Sequence, residues 1–213
     1  MMQLPQSYDL LVCNGEIAAP EVLNILAERA ESVVCADGGA NAAAALEIVP
    51  RTVIGDFDSM TEETRRYCEQ HGVEMLHLTR QDDTDFEKAL LLLRQRGTKH
   101  LVITGVTGKL LDHTLGNFSI LLRYIRDFSI VLFDENFRMD VLTEGGRFTS
   151  KAGDRISVVP LAPAHDVVYQ GLRYPLKGET LEAGLREGTC NEATGDAFEI
   201  SFSDGVLLLF RPI

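Results

Sequence analysis

Two aspartates separated by one residue, in the run Gly55-Asp56-Phe57-Asp58-Ser59, follow the β-rich stretch Arg51-Thr52-Val53-Ile54. Acids at i and i+2, placed where a strand gives way to a loop, can lean into one small volume; they repel each other unless a cation or a donor lies between them. That is a place for a hard cation. Asp37, in Cys35-Ala36-Asp37-Gly38-Gly39, and Asp85, in Asp82-Asp83-Thr84-Asp85, also fall at expected strand-to-helix connections. If the strands are parallel, all four acids lie along one edge of one sheet, outside the carboxyl ends of the strands, where open α/β sheets bind ligands. Magnesium takes oxygen ligands, keeps several waters and is usually shared with substrate phosphates, so Asp37, Asp56, Asp58 and Asp85 point to a Mg²⁺-nucleotide site.

Each piece also has a plainer reading. Asp85 can be an acid favoured by the dipole in the first turn of a helix, and Asp37 before two glycines can be an ordinary turn residue. One shared cation accounts for four acids at once. Gly38 and Gly39 would let backbone come close to a ligand, and glycine loops at helix starts can offer N–H groups to phosphate. The stretch Gly105-Val106-Thr107-Gly108-Lys109 resembles a phosphate loop but lacks the G-x-x-x-x-G-K-[ST] spacing. Asp112-His113 reads either as a base with its orienter or as a helix-start aspartate beside a satisfied histidine.

These residues need a frame, and the chain from Asp9 to about Glu135 supplies one by alternating β-rich runs with helix-like segments, the pattern of a parallel sheet covered by helices. Strands are expected at 9–14 (ending in Asn14-Gly15), 32–36, 52–54, 73–78, 100–105 and 129–133. Helices are expected from Pro20 to about Ala30, from Ala40 to Glu47, from a Thr61 cap to about His71, over 83–96 and over about 112–127. Leu90 to Leu93 reads as a continuous core face, and Thr84 with Glu87 as a capping box. Beyond Asn136 only β-type runs occur, at 139–143, 155–161, 166–169, 197–203 and 206–211, with Asp204-Gly205 signalling a two-residue hairpin. The expected organisation is α/β: residues 1–136 a parallel-sheet nucleotide-binding domain, residues 137–213 an all-β sandwich.

The 213 residues are 45% hydrophobic with a mean hydropathy of +0.01, the balance of a soluble globular protein. Acids outnumber bases 32 to 20, a formal charge of −12 that disfavours nucleic acid or anionic membrane as partners and suits a small cation or a divalent metal. The start of the chain has no basic segment followed by an apolar core, and no apolar run reaches spanning length, so a cytoplasmic protein is expected. Cys13, Cys35, Cys68 and Cys190 form no C-x-x-C pair and read as reduced packing residues.

Four motifs in this order and spacing resemble the thiamine pyrophosphokinase family: Ala36-Asp37-Gly38-Gly39-Ala40-Asn41; Gly55-Asp56-Phe57-Asp58-Ser59; Gln81-Asp82-Asp83-Thr84-Asp85-Phe86; and Gly105-Val106-Thr107-Gly108-Lys109-Leu110-Leu111-Asp112-His113. The resemblance extends more weakly to Thr189-Cys190-Asn191-Glu192. It implies transfer of the β,γ-diphosphoryl unit of ATP to the hydroxyethyl oxygen of thiamine, leaving AMP. It also implies a homodimer whose active sites combine the first domain of one subunit with the second domain of the other. Carried over by position, Asp56, Asp58 and Asp85 are the catalytic candidates, and with Asp37 they would hold Mg²⁺. Asn14, Asp37, Gly38, Gly39, Asn41, Gly105, Thr107, Gly108, Lys109, Asp112 and His113 would bind nucleotide. Gln81, Asp82 and Thr84 would lie near the substrate, and Cys190 with Asn191 would help hold the thiamine ring.

The chain departs from the family pattern in three ways. Leu110 stands where the family often has arginine, so Lys109 would have to supply the cation, as a point charge instead of a planar fork. Cys190 stands where bacterial members tend to have serine, and the chain has no tryptophan to stack on a substrate. Two rival readings are an aspartate-nucleophile phosphohydrolase, with Asp56 attacking phosphorus and Asp58 as acid and base, and a non-catalytic nucleotide sensor.

Overall fold

The computed structural model describes residues 4–80 and 82–213 and falls into two compact units, one reaching to Glu135 and the other running from Asn136 to Ile213. In the first, six short strands are β1 (Asp9–Val12), β2 (Ser32–Ala36), β3 (Thr52–Gly55), β4 (Glu74–His77), β5 (His100–Thr104) and β6 (Ser129–Phe133). All pair in parallel, in the order β4-β3-β2-β1-β5-β6. The chain therefore steps outward from β1 to β4, then returns to the other side of β1 for β5 and β6. The reversal between β1 and β5 is the switch point at which such sheets open a crevice.

Five helices cover the sheet: α1 (Pro20–Arg29), α2 (Gly39–Ala45), α3 (Glu62–Gln70), α4 (Asp85–Gln95) and α5 (Leu111–Tyr124). Leu10, Val12, Cys35 and Val53 pack with Leu23 and Leu26 of α1, Ala40 and Ala43 of α2, and Cys68 of α3. The alternate residues Leu11, Val34, Ile54, Leu101 and Ile103 are buried on the opposite face, where α4 crosses β2 and β3 and meets α5.

Two sequence expectations for α4 change. Its core stripe is Phe86, Ala89, Leu90 and Leu93 instead of an unbroken Leu90–Leu93 run, because 3.6-residue periodicity turns Leu91 and Leu92 partly outward. Burying Phe86, Leu90 and Leu93 is worth roughly 1.5–3 kcal/mol each. Thr84 caps the helix by accepting from the Glu87 N–H at 3.2 Å, but the capping box is only half built. The buried Glu87 carboxylate is taken by Tyr124 Oη at 2.9 Å and Arg123 Nη2 at 3.0 Å, tying α4 to α5.

The second unit holds seven strands, β7 (Phe137–Leu142), β8 (Gly146–Thr149), β9 (Arg155–Gln170), β10 (Lys177–Leu181), β11 (Gly188–Glu192), β12 (Ala197–Ser201) and β13 (Asp204–Pro212). β9 is one 16-residue strand where the sequence, broken by Pro160 and Pro163, reads as two. Its first part pairs with β11 and β13, its last part with β10 and β12, all antiparallel. β13 pairs onward with β7, and β12 with β8. Ile156, Val158, Leu207 and Leu209 share one core with Val167, Tyr169, Leu181, Phe198 and Ile200. Two layers thus face each other and are joined through a strand that bends from one to the other near Asp166, whose φ is +53°.

The expected hairpin at Asp204-Gly205 does not form. β12 and β13 each pair with β9 and not with one another. Gly205, at φ +107°, sits in a register shift against β9, where a Cβ would lie 2.3 Å from the Pro163 carbonyl oxygen. Asp204 is held by His165 Nδ1 at 2.6 Å.

Candidate active site

At the switch point a cleft of about 620 Å³ opens within the first unit, bounded by the loops that leave β1, β2, β3 and β5 and by the starts of α4 and α5. The loops after β1 and β5 touch backbone to backbone. Gly15 N–H donates to the Gly105 carbonyl at 2.7 Å, Cys13 N–H donates to the Thr104 carbonyl at 2.8 Å, and a Cβ at Gly105 would lie 2.2 Å from the Cys13 carbonyl oxygen. Gly38 and Gly39 are needed for the same kind of reason. A Cβ at Gly39 would meet the Val12 carbonyl oxygen at 2.2 Å, and one at Gly38 would meet the Asn14 side chain at 2.6 Å, so both glycines accommodate the chain itself where the sequence suggested a ligand.

Three of the four expected metal ligands converge. Carboxylate oxygens of Asp37, Asp56 and Asp58 lie within 4.8 Å of one another. At that separation like charges repel by about 1 kcal/mol per pair even in water, and by more as the dielectric falls. The loop is shaped to hold them there. Phe57, between the two acids, adopts a left-handed φ of +66°, unusual for a bulky residue, with its ring buried and stacked on His77 at 5.3 Å. Asp58 N–H donates back to Asp56 Oδ1 at 3.2 Å, closing a local turn.

Asp37 is also left-handed, at φ +41°, and only 4% exposed. Burial pushes its carboxyl above the usual range, partly offset by donors from Gly38 and Ser59, with the charges of Asp85 and Asp58 adding to the rise. Its Oδ2 accepts the Ser59 N–H at 3.3 Å, while Oδ1 is buried and has no hydrogen-bond partner among the described residues. A carboxylate that approaches two others and has a buried oxygen lacking a donor fits a hard divalent cation, and an all-oxygen donor set suits a hard ion better than a soft one.

Asp85 lines the same cleft but is not part of the converging set, and its Oδ1 accepts from Lys88 Nζ at 2.8 Å. The lining also includes Asn14, Thr84, Gly105, Thr107, Gly108, Lys109, Asp112 and His113. Lys109 is the lone lysine or arginine lining it among the described residues; at φ +53°, its Nζ donates to Asn14 Oδ1 at 2.9 Å, which turns it toward the switch point. Asp112 Oδ1 accepts the His113 backbone N–H at 2.9 Å, in the first turn of α5.

Asn41 and Asp82 do not line the cleft. Asn41 braces the loop after β3 instead, donating to the Ser59 carbonyl at 2.8 Å and accepting from Thr61 N–H at 3.0 Å. Gln81 lies outside the described residues. Sequence reading missed Ser59, Asn117 and the buried Lys88; of these, Lys88 was detectable as a lysine on the apolar stripe of α4, three residues after Asp85.

In the second unit, Cys190 and Asn191 are neighbours with different situations. Cys190 is exposed at φ +58°, with Arg155 Nη2 donating to its Sγ at 3.1 Å, so it is not the packing residue expected; Cys13, Cys35 and Cys68 are buried. Asn191 is 5% exposed and its amide serves its own chain. Its Oδ1 accepts from the N–H groups of Tyr174 at 3.0 Å and Glu192 at 2.9 Å, and its Nδ2 donates to the Tyr174 carbonyl at 2.8 Å. What this clamp presents is Tyr174, a residue 60% exposed with the Arg173 guanidinium 5.7 Å from its ring centroid. Tyr174 lies 17 residues upstream of Asn191, and spacing alone does not link them.

Both units match known protein families. The family model for the thiamin pyrophosphokinase catalytic domain matches residues 23–132, and that for the thiamin pyrophosphokinase vitamin B1 binding domain matches residues 147–207. Thiamine pyrophosphokinase of Bacillus subtilis is 29% identical over 170 residues, covering 77% of this chain and 79% of the relative. Thiamine pyrophosphokinase 1 of Oryza sativa is 25% identical, covering 95% and 86%. Among solved structures, thiamin pyrophosphokinase from Candida albicans superposes with a TM-score of 0.85 at 18% identity, covering 98% of this chain and 89% of that one, a likeness of fold. With a catalytic-domain match over half its length and a vitamin B1 binding match following, the chain belongs to the thiamin pyrophosphokinase family.

Proposed function

We propose that this enzyme moves the β,γ-diphosphoryl unit of ATP to the hydroxyethyl oxygen of thiamine and releases AMP, with Mg²⁺ as its divalent ion. The observation that carries the reading is the convergence of the Asp37, Asp56 and Asp58 carboxylates, with one buried oxygen of Asp37 that no donor satisfies. These three residues would hold the ion, with Asp85 beside them. A divalent ion there would offset phosphate charge that otherwise repels an attacking alcohol.

The chain's own groups do the rest by positioning, which is most of what phosphoryl transfer asks of a protein. Lys109, steadied by Asn14, meets phosphate oxygens at the switch point, and the Gly105–Gly108 loop lies along the nucleotide. Thr84 caps α4 at the rim of the cleft and faces the substrate. In the second unit, the Tyr174 ring face is open to an aromatic, cationic substrate, with Cys190 close by in sequence to Asn191, whose clamp sets the loop. A homodimer with shared active sites and a cytoplasmic setting, in keeping with ATP as donor, complete the proposal.

An Asp56 nucleophile is disfavoured by the family match, and it leaves the convergence of Asp37 with Asp56 and Asp58 unexplained. Purified protein incubated with ATP, Mg²⁺ and thiamine should release AMP and thiamine diphosphate in equal amounts. Release of ADP, or of phosphate without thiamine, would overturn the reading. Sedimentation of the same preparation should show a two-chain species.

A further inference from the structure

Lys88 is unusual by burial alone. It sits on the inward stripe of α4 with its side chain 3% exposed, where a lysine is rarely found unless its charge is used. Its ammonium has two acceptors: Asp85 Oδ1 at 2.8 Å and the Leu78 carbonyl at 3.1 Å. Leu78 directly follows β4, and its own N–H donates to the Gly55 carbonyl at 2.8 Å, at the end of β3 and one residue before Asp56. A hydrogen-bonded line therefore runs from Gly55 through Leu78 and Lys88 to Asp85, joining the ends of two strands to the start of a helix.

The line ends close to the converging acids. A Cβ built at Gly55 would lie 2.9 Å from Asp37 Cβ and 3.1 Å from Asp85 Cγ, so the two acids flank one glycine. Asp85 contributes to the upward push on the Asp37 carboxyl. Without a fixed counter-charge, a fourth carboxylate would be free to collapse toward the other three when an ion is bound, or to swing away when none is.

We propose that Lys88 is a positioning residue that neutralises Asp85 and anchors it, keeping the fourth carboxylate at the start of α4 while Asp37, Asp56 and Asp58 converge. This rests on the proposed reaction for its kinetic consequence but not for its structural one. The buried ammonium acts through Asp85 and touches no substrate. Methionine in its place would fill the same buried volume while leaving both Asp85 and the Leu78 carbonyl without their donor.

The test is a double-mutant cycle on the full chain with wild type, Lys88→Met, Asp85→Asn and the double variant, reading AMP release and the thermal midpoint in the absence of divalent ion. Each single variant should lose about 100-fold in kcat with the KM for thiamine within about two-fold, the size expected when a reacting group is misplaced by about 1 Å. In the Asp85→Asn background, Lys88→Met should cost less than about three-fold more. Lys88→Met alone should lower the ion-free midpoint, and adding Asp85→Asn should restore it.

Losses that multiply to about 10⁴-fold, or midpoint shifts that simply add, would overturn the proposal. If Lys88→Met does not fold, Lys88→Gln carries the same cycle with one donor kept for Leu78. A wild type that releases no AMP would sink the proposed reaction, while the midpoints would still decide the role of Lys88.

Discussion

The two units use polar side chains in opposite ways. In the cleft of the first, glycine-lined loops after β1 and β5 lock to each other through main-chain contacts, and the carboxylates of Asp37, Asp56 and Asp58 converge. In the second, Asn191 turns its amide to the backbone of Tyr174 and Glu192, and it is Tyr174 that remains exposed. A polar residue in a sequence motif can therefore be either the group that meets a ligand or the brace behind it. Burial and hydrogen-bond partners separate the two.

The largest expected effect falls in the first unit. Asp56→Ala should lower AMP release by about 10³-fold or more while leaving the circular dichroism and the thermal midpoint close to wild type, since Asp56 is exposed and buries no core surface. A variant of normal rate would mean that these acids are not left open for function, and the contrast between the units would fail. The second unit is tested at Tyr174. Tyr174→Ala should raise the KM for thiamine by about 10-fold, the size of a lost stacking contact, leave the KM for ATP unchanged, and be rescued by Tyr174→Phe. Loss of ATP affinity instead would move Tyr174 out of substrate recognition.

The smallest effect sharpens the comparison by its sign. Burial raises the Asp37 carboxyl in the folded chain, so the folded state holds its proton more tightly than the unfolded state. Without divalent ion, the charged Asp37 then costs stability above its raised folded value, and the cost disappears below the ordinary value of 3.8. Asp37→Asn should raise the ion-free thermal midpoint by about 2–4 °C at neutral pH, lose that advantage in acid, and no longer respond to added Mg²⁺. A midpoint lowered by the substitution would show that Asp37 is a structural anchor like Asn191.

Much of the first unit was legible because parallel βα units have few ways to assemble. Once 52–54 reads as a strand and Thr61 as a helix cap, Asp56 and Asp58 must lie at the carboxyl edge, and so must Asp37 after 32–36. What could not be read there depends on side-chain direction: Asp85 pairs with Lys88, Asn41 braces Ser59, and Glu87 leaves its cap to join Arg123 and Tyr124. In the second unit the difficulty lies in the backbone. Two prolines divide the β9 sequence into apparent halves, and Asp204-Gly205 carries the signature of a hairpin whose strands are claimed by a third strand. Clamps such as that of Asn191 on Tyr174 join residues far apart in sequence, and no local spacing rule announces them.

The bent β9 strand also governs how the second unit can be made. Four strands, β10 to β13, take β9 as a partner, and all four are synthesised after it. β9 thus stays without its full set of partners until β13 has been made, and closing distant loops onto it is slow. Trimming even the final strand would strip β9 of its longest neighbour, Asp204–Pro212, and expose an edge on which other chains could assemble.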